Sequence, residues 1–243
     1  MKKREFFWRI FFPEKCPLCG KVLKINEDFC LCCGSDEVRL SDNCCEGCGK
    51  EKELCSCGTD CTASLAHITG VFSYEGLIRN MLISFKFAGR KSLYRYFGDC
   101  LAERVATVYA KADFDTVTFV PSSAESIKER GYNPARLIAE QTAKRLFIPC
   151  EELLIKSKET KKQHSLSGAE RITNVKGSVS PKRSTAIKGK TILLCDDIKT
   201  TGATLRECCD ILFSEGAGEV YCAAAAVTSN LNLFDLDKVK ENQ

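Results

Sequence analysis

The stretch Leu193-Leu194-Cys195-Asp196-Asp197-Ile198-Lys199-Thr200-Thr201-Gly202-Ala203-Thr204 concentrates chemically capable groups in a short span. An apolar run delivers two adjacent carboxylates, and a loop of small hydroxyl residues follows. If the run is a buried strand and the loop opens a helix, free amides and the macrodipole at the helix start favour a phosphate. Thr200, Thr201 and Thr204 add hydroxyl donors. Gly202 lets the backbone come close to the anion. Two carboxylates beside a phosphate repel it unless they have another task. They can accept hydrogen bonds from sugar hydroxyls or hold a divalent cation such as Mg²⁺. Vicinal hydroxyls plus a phosphate describe a ribose 5-phosphate. The plainer reading is a helix N-cap, but a cap needs one such residue and this loop has five: Asp196, Asp197, Thr200, Thr201 and Thr204.

Cysteine is the second chemical signal. The 243-residue chain has 17, and eleven fall between Cys16 and Cys61. A secreted protein would use them for disulfides and a cytosolic one for metal. The start of the chain carries Lys2, Lys3 and Arg4, then an aromatic stretch that Arg9 interrupts, without a small-residue cleavage site. That is not a secretory signal pattern, so metal and a cytoplasmic location are expected. Cys16-x-x-Cys19, Cys30-x-x-Cys33 and Cys45-x-x-Cys48 are tight knuckles, and Cys55-x-Cys57 is a fourth candidate. The simplest arrangement is two zinc ribbons: Cys16, Cys19, Cys30 and Cys33, then Cys45, Cys48, Cys55 and Cys57. Cys32, Cys44 and Cys61 are substitutes for the second set, and an iron–sulfur cluster is the alternative occupant. Four protein ligands per ion make such sites structural. The region holds little hydrophobic periodicity, so it needs this staple, and it reads as two copies of one small unit. The scattered Cys100, Cys150, Cys208, Cys209 and Cys222 read as small core hydrophobes.

The elements that would position these groups follow from periodicity. Leu65 to Tyr74 reads as a strand. Gly76 to Phe87 has Leu77, Ile78, Met81, Leu82 and Phe85 at helical spacing, and Leu93 to Ala112 also reads as helix. Val117 to Val120 is a β-branched strand ending at Pro121. Asn133 to Phe147 reads as helix. Residues 156–190 are polar and basic and read as a long connection. Thr191 to Cys195 is the continuous apolar run of a central parallel strand. A helix with Leu205, Cys208, Cys209 and Leu212 on one face follows, ended by Gly216, and Val220 to Val227 closes a βαβ unit. The expected class is α/β, with a cysteine-rich module over 1–63 and an α/β domain over 64–243. No run of eighteen apolar residues exists, so no membrane span is expected. The charge of +4 permits anionic ligands without demanding nucleic acid. Basic residues between Lys156 and Lys190 leave single-stranded DNA open as a partner. Of the two histidines, His67 reads as structural, and His164 lies in the polar connection.

The Asp-Asp and Thr-Thr-Gly stretch resembles the phosphoribosyl pyrophosphate (PRPP) motif of type I phosphoribosyltransferases. Further segments resemble the competence-associated ComF family. These are Arg130-Gly131-Tyr132-Asn133, Ser84-Phe85-Lys86-Phe87, the set Thr160, Gln163 and Leu166, the set Arg171, Asn174 and Val175, and the N-terminal cysteines. The resemblance implies a type I phosphoribosyltransferase-like parallel sheet flanked by helices. Asp196 and Asp197 would contact ribose hydroxyls with Mg²⁺, and Thr200 to Thr204 would cradle the 5-phosphate. Pro121 and Ser122 would sit at the pyrophosphate, Arg130 would neutralise it, and Lys86 and Gln163 would join the ligand contacts. The segment from Lys161 to Ser167 would close over the ligand. Cys195 departs from the aliphatic residue common at that position. The resemblance implies a PRPP-binding protein linked to DNA uptake and to competence proteins as partners. Two alternatives remain: an active PRPP-dependent transferase with an unidentified acceptor, and a non-catalytic single-stranded-DNA adaptor. No hood for recognising a nucleobase is evident.

Overall fold

The computed structural model describes residues 13, 15–16, 21–24, 30, 39–41, 43–55, 67–156, 177–183 and 186–228. Four parallel strands form the main sheet. They are β1 (His67–Ser73), β2 (Thr116–Phe119), β5 (Thr191–Lys199) and β6 (Glu219–Val227), in the order β1-β6-β5-β2. Two shorter strands, β3 (Leu154–Lys156) and β4 (Val179–Pro181), pair antiparallel beside it. Five α-helices are present among the described residues: α1 (Gly76–Phe87), α2 (Leu93–Val108), α3 (Ala124–Arg130), α4 (Pro134–Leu146) and α5 (Ala203–Ser214). None is long and apolar enough to cross a membrane.

The two inner strands are the apolar ones, as burial on both faces requires. Ile192 to Cys195 and Ala223 to Ala226 are fully buried. Four consecutive alanines in β6 leave room for helices on both sides. On one face α2 covers β1 and β6 while α4 covers β5 and β2, and the two helices pack on each other. Their crossing is tight at Gly98, where an added Cβ would lie 2.5 Å from the Gln141 Cβ. On the other face α5 sets Leu205, Cys208, Cys209 and Leu212 against the sheet. Its Cys209 Sγ is 3.3 Å from Cys222 Sγ, whereas Tyr221, one residue earlier on β6, meets Tyr109 at the end of α2. Alternation along β6 therefore separates the two faces.

Several boundaries differ from the sequence expectation. Strand β5 runs on through Asp196 and Asp197 to Lys199, because its ladder with β6 continues to Lys199↔Val227. Helix α2 ends at Val108, with Tyr109 as its C-cap. Helix α3 and the β3–β4 pair carry no sequence signal. The helix buries no residue, so it has no amphipathic stripe; β4 sits in the polar connection and β3 ends where that connection begins.

Candidate ribose phosphate site

The overhang of β5 builds the site. Pairing between β2 and β5 stops at Phe119↔Cys195, whereas pairing with β6 continues four residues further. In that overhang the carboxylates serve the backbone: Asp196 Oδ1 accepts from the Asp197 amide and Asp197 Oδ1 from the Ile198 amide, each at 2.8 Å. Asp196 pairs with Ala224 of β6. The two carboxyls remain in side-chain contact with each other. Lys86 Nζ of α1 meets Asp197 Oδ2 at 2.7 Å. Burial, then the charge of Asp197, pushes the Asp196 carboxyl well above the ordinary carboxylate range, and Lys86 opposes this.

Thr200 to Gly202 turn the chain into α5. Gly202 is the N-cap in the left-handed region at φ 79°, where a side chain would be strained. A glycine cap has no side chain to take an amide. Instead Thr201 Oγ1 accepts from the Ala203 amide at 3.3 Å. The amides of Thr204 and Leu205 have no partner within the helix by its geometry. Thr200, Thr201, Ala203 and Thr204 are all half-buried and line this bend.

The two segments around Lys86 and Arg130 dock on each other. The Tyr132 hydroxyl donates to the Phe85 carbonyl, and the two rings stack 5.6 Å apart. Arg130, the last residue of α3, sets its guanidinium 4.9 Å from the centre of the Phe87 ring, with Nε buried and unbonded. Asn133 ties this segment to the turn after β2. Its Oδ1 caps α4 by accepting from the amides of Ala135 and Arg136, while its Nδ2 donates to the Val120 carbonyl at 3.0 Å. Pro121 and Ser122 follow directly. They border a cavity of about 510 Å³, also walled by Tyr132, Arg136, Glu152 and Lys156. Asp196 and Asp197 do not line it. Gln163 lies outside the described residues, as does the segment from 161 to 167.

Sequence reasoning missed the second bond of Asn133. It also missed Glu207 of α5, whose carboxylate takes both the amide and the hydroxyl of Ser178 at the start of β4. The Asn-Pro pair signals the cap of α4. Nothing in the sequence signals the other partners.

In the cysteine region, Cys45, Cys48 and Cys55 bring three Sγ atoms within 4.8 Å of one another. The Cys48 and Cys55 sulfurs are 3.7 Å apart. A tetrahedral ion with Zn–S bonds near 2.3 Å holds its sulfurs about 3.8 Å apart, so the group fits a shared metal. Cys57 lies outside the described residues. Of the first set, Cys16 and Cys30 are buried, and Cys19 and Cys33 lie outside. The two units nevertheless repeat. Cys16 N donates to Lys21 O as Cys45 N does to Lys50 O, and the bridges Lys15↔Val22 and Cys44↔Glu51 enclose them.

The phosphoribosyl transferase domain family matches residues 133–241, which include the whole β5–α5 bend. The chain is 27% identical over 222 residues to the competence protein ComFC of Bacillus subtilis, covering 88% of this chain and 85% of that one. With ComFC of Streptococcus pneumoniae it shares 28% over 225 residues, covering 85% and 96%. Along most of its length the chain is similar to these two ComFC proteins. Among solved structures, the glutamine PRPP amidotransferase from B. subtilis is 28% identical, covering 56% of this chain and 26% of that one at a TM-score of 0.39.

Proposed function

We propose that this chain binds PRPP, or a closely related ribose phosphate, at the overhang of β5, and that binding serves DNA uptake. One observation carries the reading: a buried parallel strand ends in two carboxylates and a hydroxyl-lined bend at the start of α5, inside the family match. The bend from Thr200 to Thr204 would hold the 5-phosphate. Asp196 and Asp197 would take the ribose hydroxyls and would hold Mg²⁺, which supplies charge neutralisation. Pro121 and Ser122 would receive the pyrophosphate, with Arg130, Lys86 and Gln163 as further contacts. The competence names of the relatives support the role in DNA uptake. Zinc at the two cysteine sets would hold the N-terminal module together, and a cytoplasmic location suits these thiols.

Calorimetry of PRPP with Mg²⁺ against wild type and Asp196→Asn/Asp197→Asn tests the reading. Heat from wild type alone supports it, and no heat from either overturns it. The cavity beside Pro121 and Ser122 supports a second reading, a transferase whose acceptor sits there. Release of pyrophosphate from PRPP with an acceptor panel separates the two. A DNA-handling role predicts salt-sensitive binding of single strands.

A further inference from the structure

Two buried cysteines that the ribose phosphate site does not use face each other where α5 packs on the sheet. Cys209 lies on α5 and Cys222 on β6, at 4% and 0% exposure. Their sulfurs are 3.3 Å apart, and both are free thiols. One cysteine at such a position is an ordinary small core residue. Two in sulfur contact are a dithiol one step from a covalent link. A disulfide holds its sulfurs about 2.05 Å apart, roughly 1 Å of further approach. The contact of Cys48 with Cys55 is of another kind, because Cys45 adds a third sulfur there and makes a metal set.

We propose that Cys209 and Cys222 form a peroxide-sensitive fastener that closes to a disulfide and stitches α5 to β6. Burial selects the oxidant. It keeps out a bulky disulfide, whereas hydrogen peroxide is close to water in size and enters at Cys209, the less enclosed sulfur. A hydrogen bond with Cys209, then burial, pushes the Cys222 thiol up, so Cys222 keeps its proton at neutral pH and acts second. As the O–O bond of peroxide breaks, one oxygen passes to the Cys209 sulfur, giving a sulfenic acid and a water that carries off the thiol proton. The Cys222 sulfur then attacks the Cys209 sulfur, and the displaced hydroxide leaves with the Cys222 proton as a second water. Two electrons pass from the sulfurs to the peroxide, and a thiol reductant reverses the change. The link falls about two turns past Gly202, so it pins the helix that the hydroxyl-lined bend opens. No ligand is needed for this chemistry, and none enters its test.

The full zinc-loaded chain is treated with hydrogen peroxide while folded, its remaining thiols are alkylated in denaturant, and it is cut before aspartates. Asp210 separates the two cysteines. Peptides 197–209 and 210–234 therefore stay joined, two hydrogens lighter than their sum, until a reductant is added. Cys208 shares the first peptide, so Cys208→Ala should keep the joined species and Cys209→Ala should lose it. Fragmentation of the joined peptides places the bond in wild type itself, which covers a variant that does not fold. Relative to Cys209→Ala treated the same way, the oxidised wild type should gain roughly 5 °C or more in thermal midpoint, lost again on reduction. No joined species at the peroxide dose that oxidises Cys45, Cys48 and Cys55 overturns the inference. A bond to Cys208, a bond formed only in denaturant, or an unchanged or lower midpoint overturns it equally.

Discussion

Asp197 has the Lys86 ammonium against it, and both side chains are largely shielded from water, at 10% and 20% exposure. Removing one partner of such a pair strands the other charge. Lys86→Met should therefore cost about 2–3 kcal/mol in urea unfolding, below the fully buried range because water still reaches the lysine. The Lys86→Met/Asp197→Asn double variant should recover most of that loss, and additive losses would disprove the coupling. Asp196 behaves differently. Burial and its neighbour favour its neutral form, so the folded state binds this proton more tightly than the unfolded chain does. The stability from neutral Asp196 is complete below the unfolded carboxylate pKa of about 3.9 and is lost as pH rises through the raised folded value. Asp196→Asn removes that dependence. Its stability relative to wild type should improve from pH 5 to pH 8, and parallel pH profiles would refute this. The sequence located these acids but not the length of the strand that carries them. The apolar run ends at Cys195, whereas the ladder with β6 runs on through both acids to Lys199.

At the scale of elements, two glycines set close approaches that the sequence could not announce. Gly202 combines φ 79° with contact to the Lys199 stem. Gly202→Ala should destabilise by about 1–2 kcal/mol and weaken ribose phosphate binding, read by denaturant unfolding and calorimetry. Gly98→Ala forces α2 away from α4, because Gln141 Cβ and Cγ and the Ile138 carbonyl surround the added methyl. That variant should lose about 1–3 kcal/mol without altering ligand affinity beyond the effect of stability. Legibility followed burial. The helix Gly76–Phe87 was read to the residue because Ile78, Met81, Leu82 and Phe85 fill one face. Helix α3 was invisible because it is held by the Ser123 cap and its left-handed Gly131 end rather than by a buried stripe.

Across the whole molecule, Arg104 of α2 joins the cysteine region to the sheet. It is buried, and it donates to Thr69 Oγ1 at 3.0 Å, the Ser41 carbonyl at 2.8 Å and the Cys44 sulfur at 3.4 Å. The Leu40 amide bonds the Val71 carbonyl, and the Ile68 amide bonds the Glu46 carbonyl. Stripping metal with a chelator should therefore raise hydrogen exchange at Ile68 to Phe72 as well as among the cysteines, and unchanged protection there would show the contacts to be independent of metal. The clustering of Cys45, Cys48 and Cys55 was readable from their spacing. Their attachment to the sheet was not, because Arg104 gathers a hydroxyl, a sulfur and two carbonyls from separate segments, and no spacing in the sequence links them.

That attachment decides what can be cut from this protein. On the edge of β1 away from β6, the Val71 carbonyl and the Ile68 amide are engaged by Leu40 and Glu46, with Arg39 lying over the Phe72 ring. A fragment beginning at residue 64 would present a bare, adhesive border ready to zip onto a second molecule. Such a truncation should come out of solution as self-paired aggregates, and a missing activity in it would say nothing about the ligand pocket.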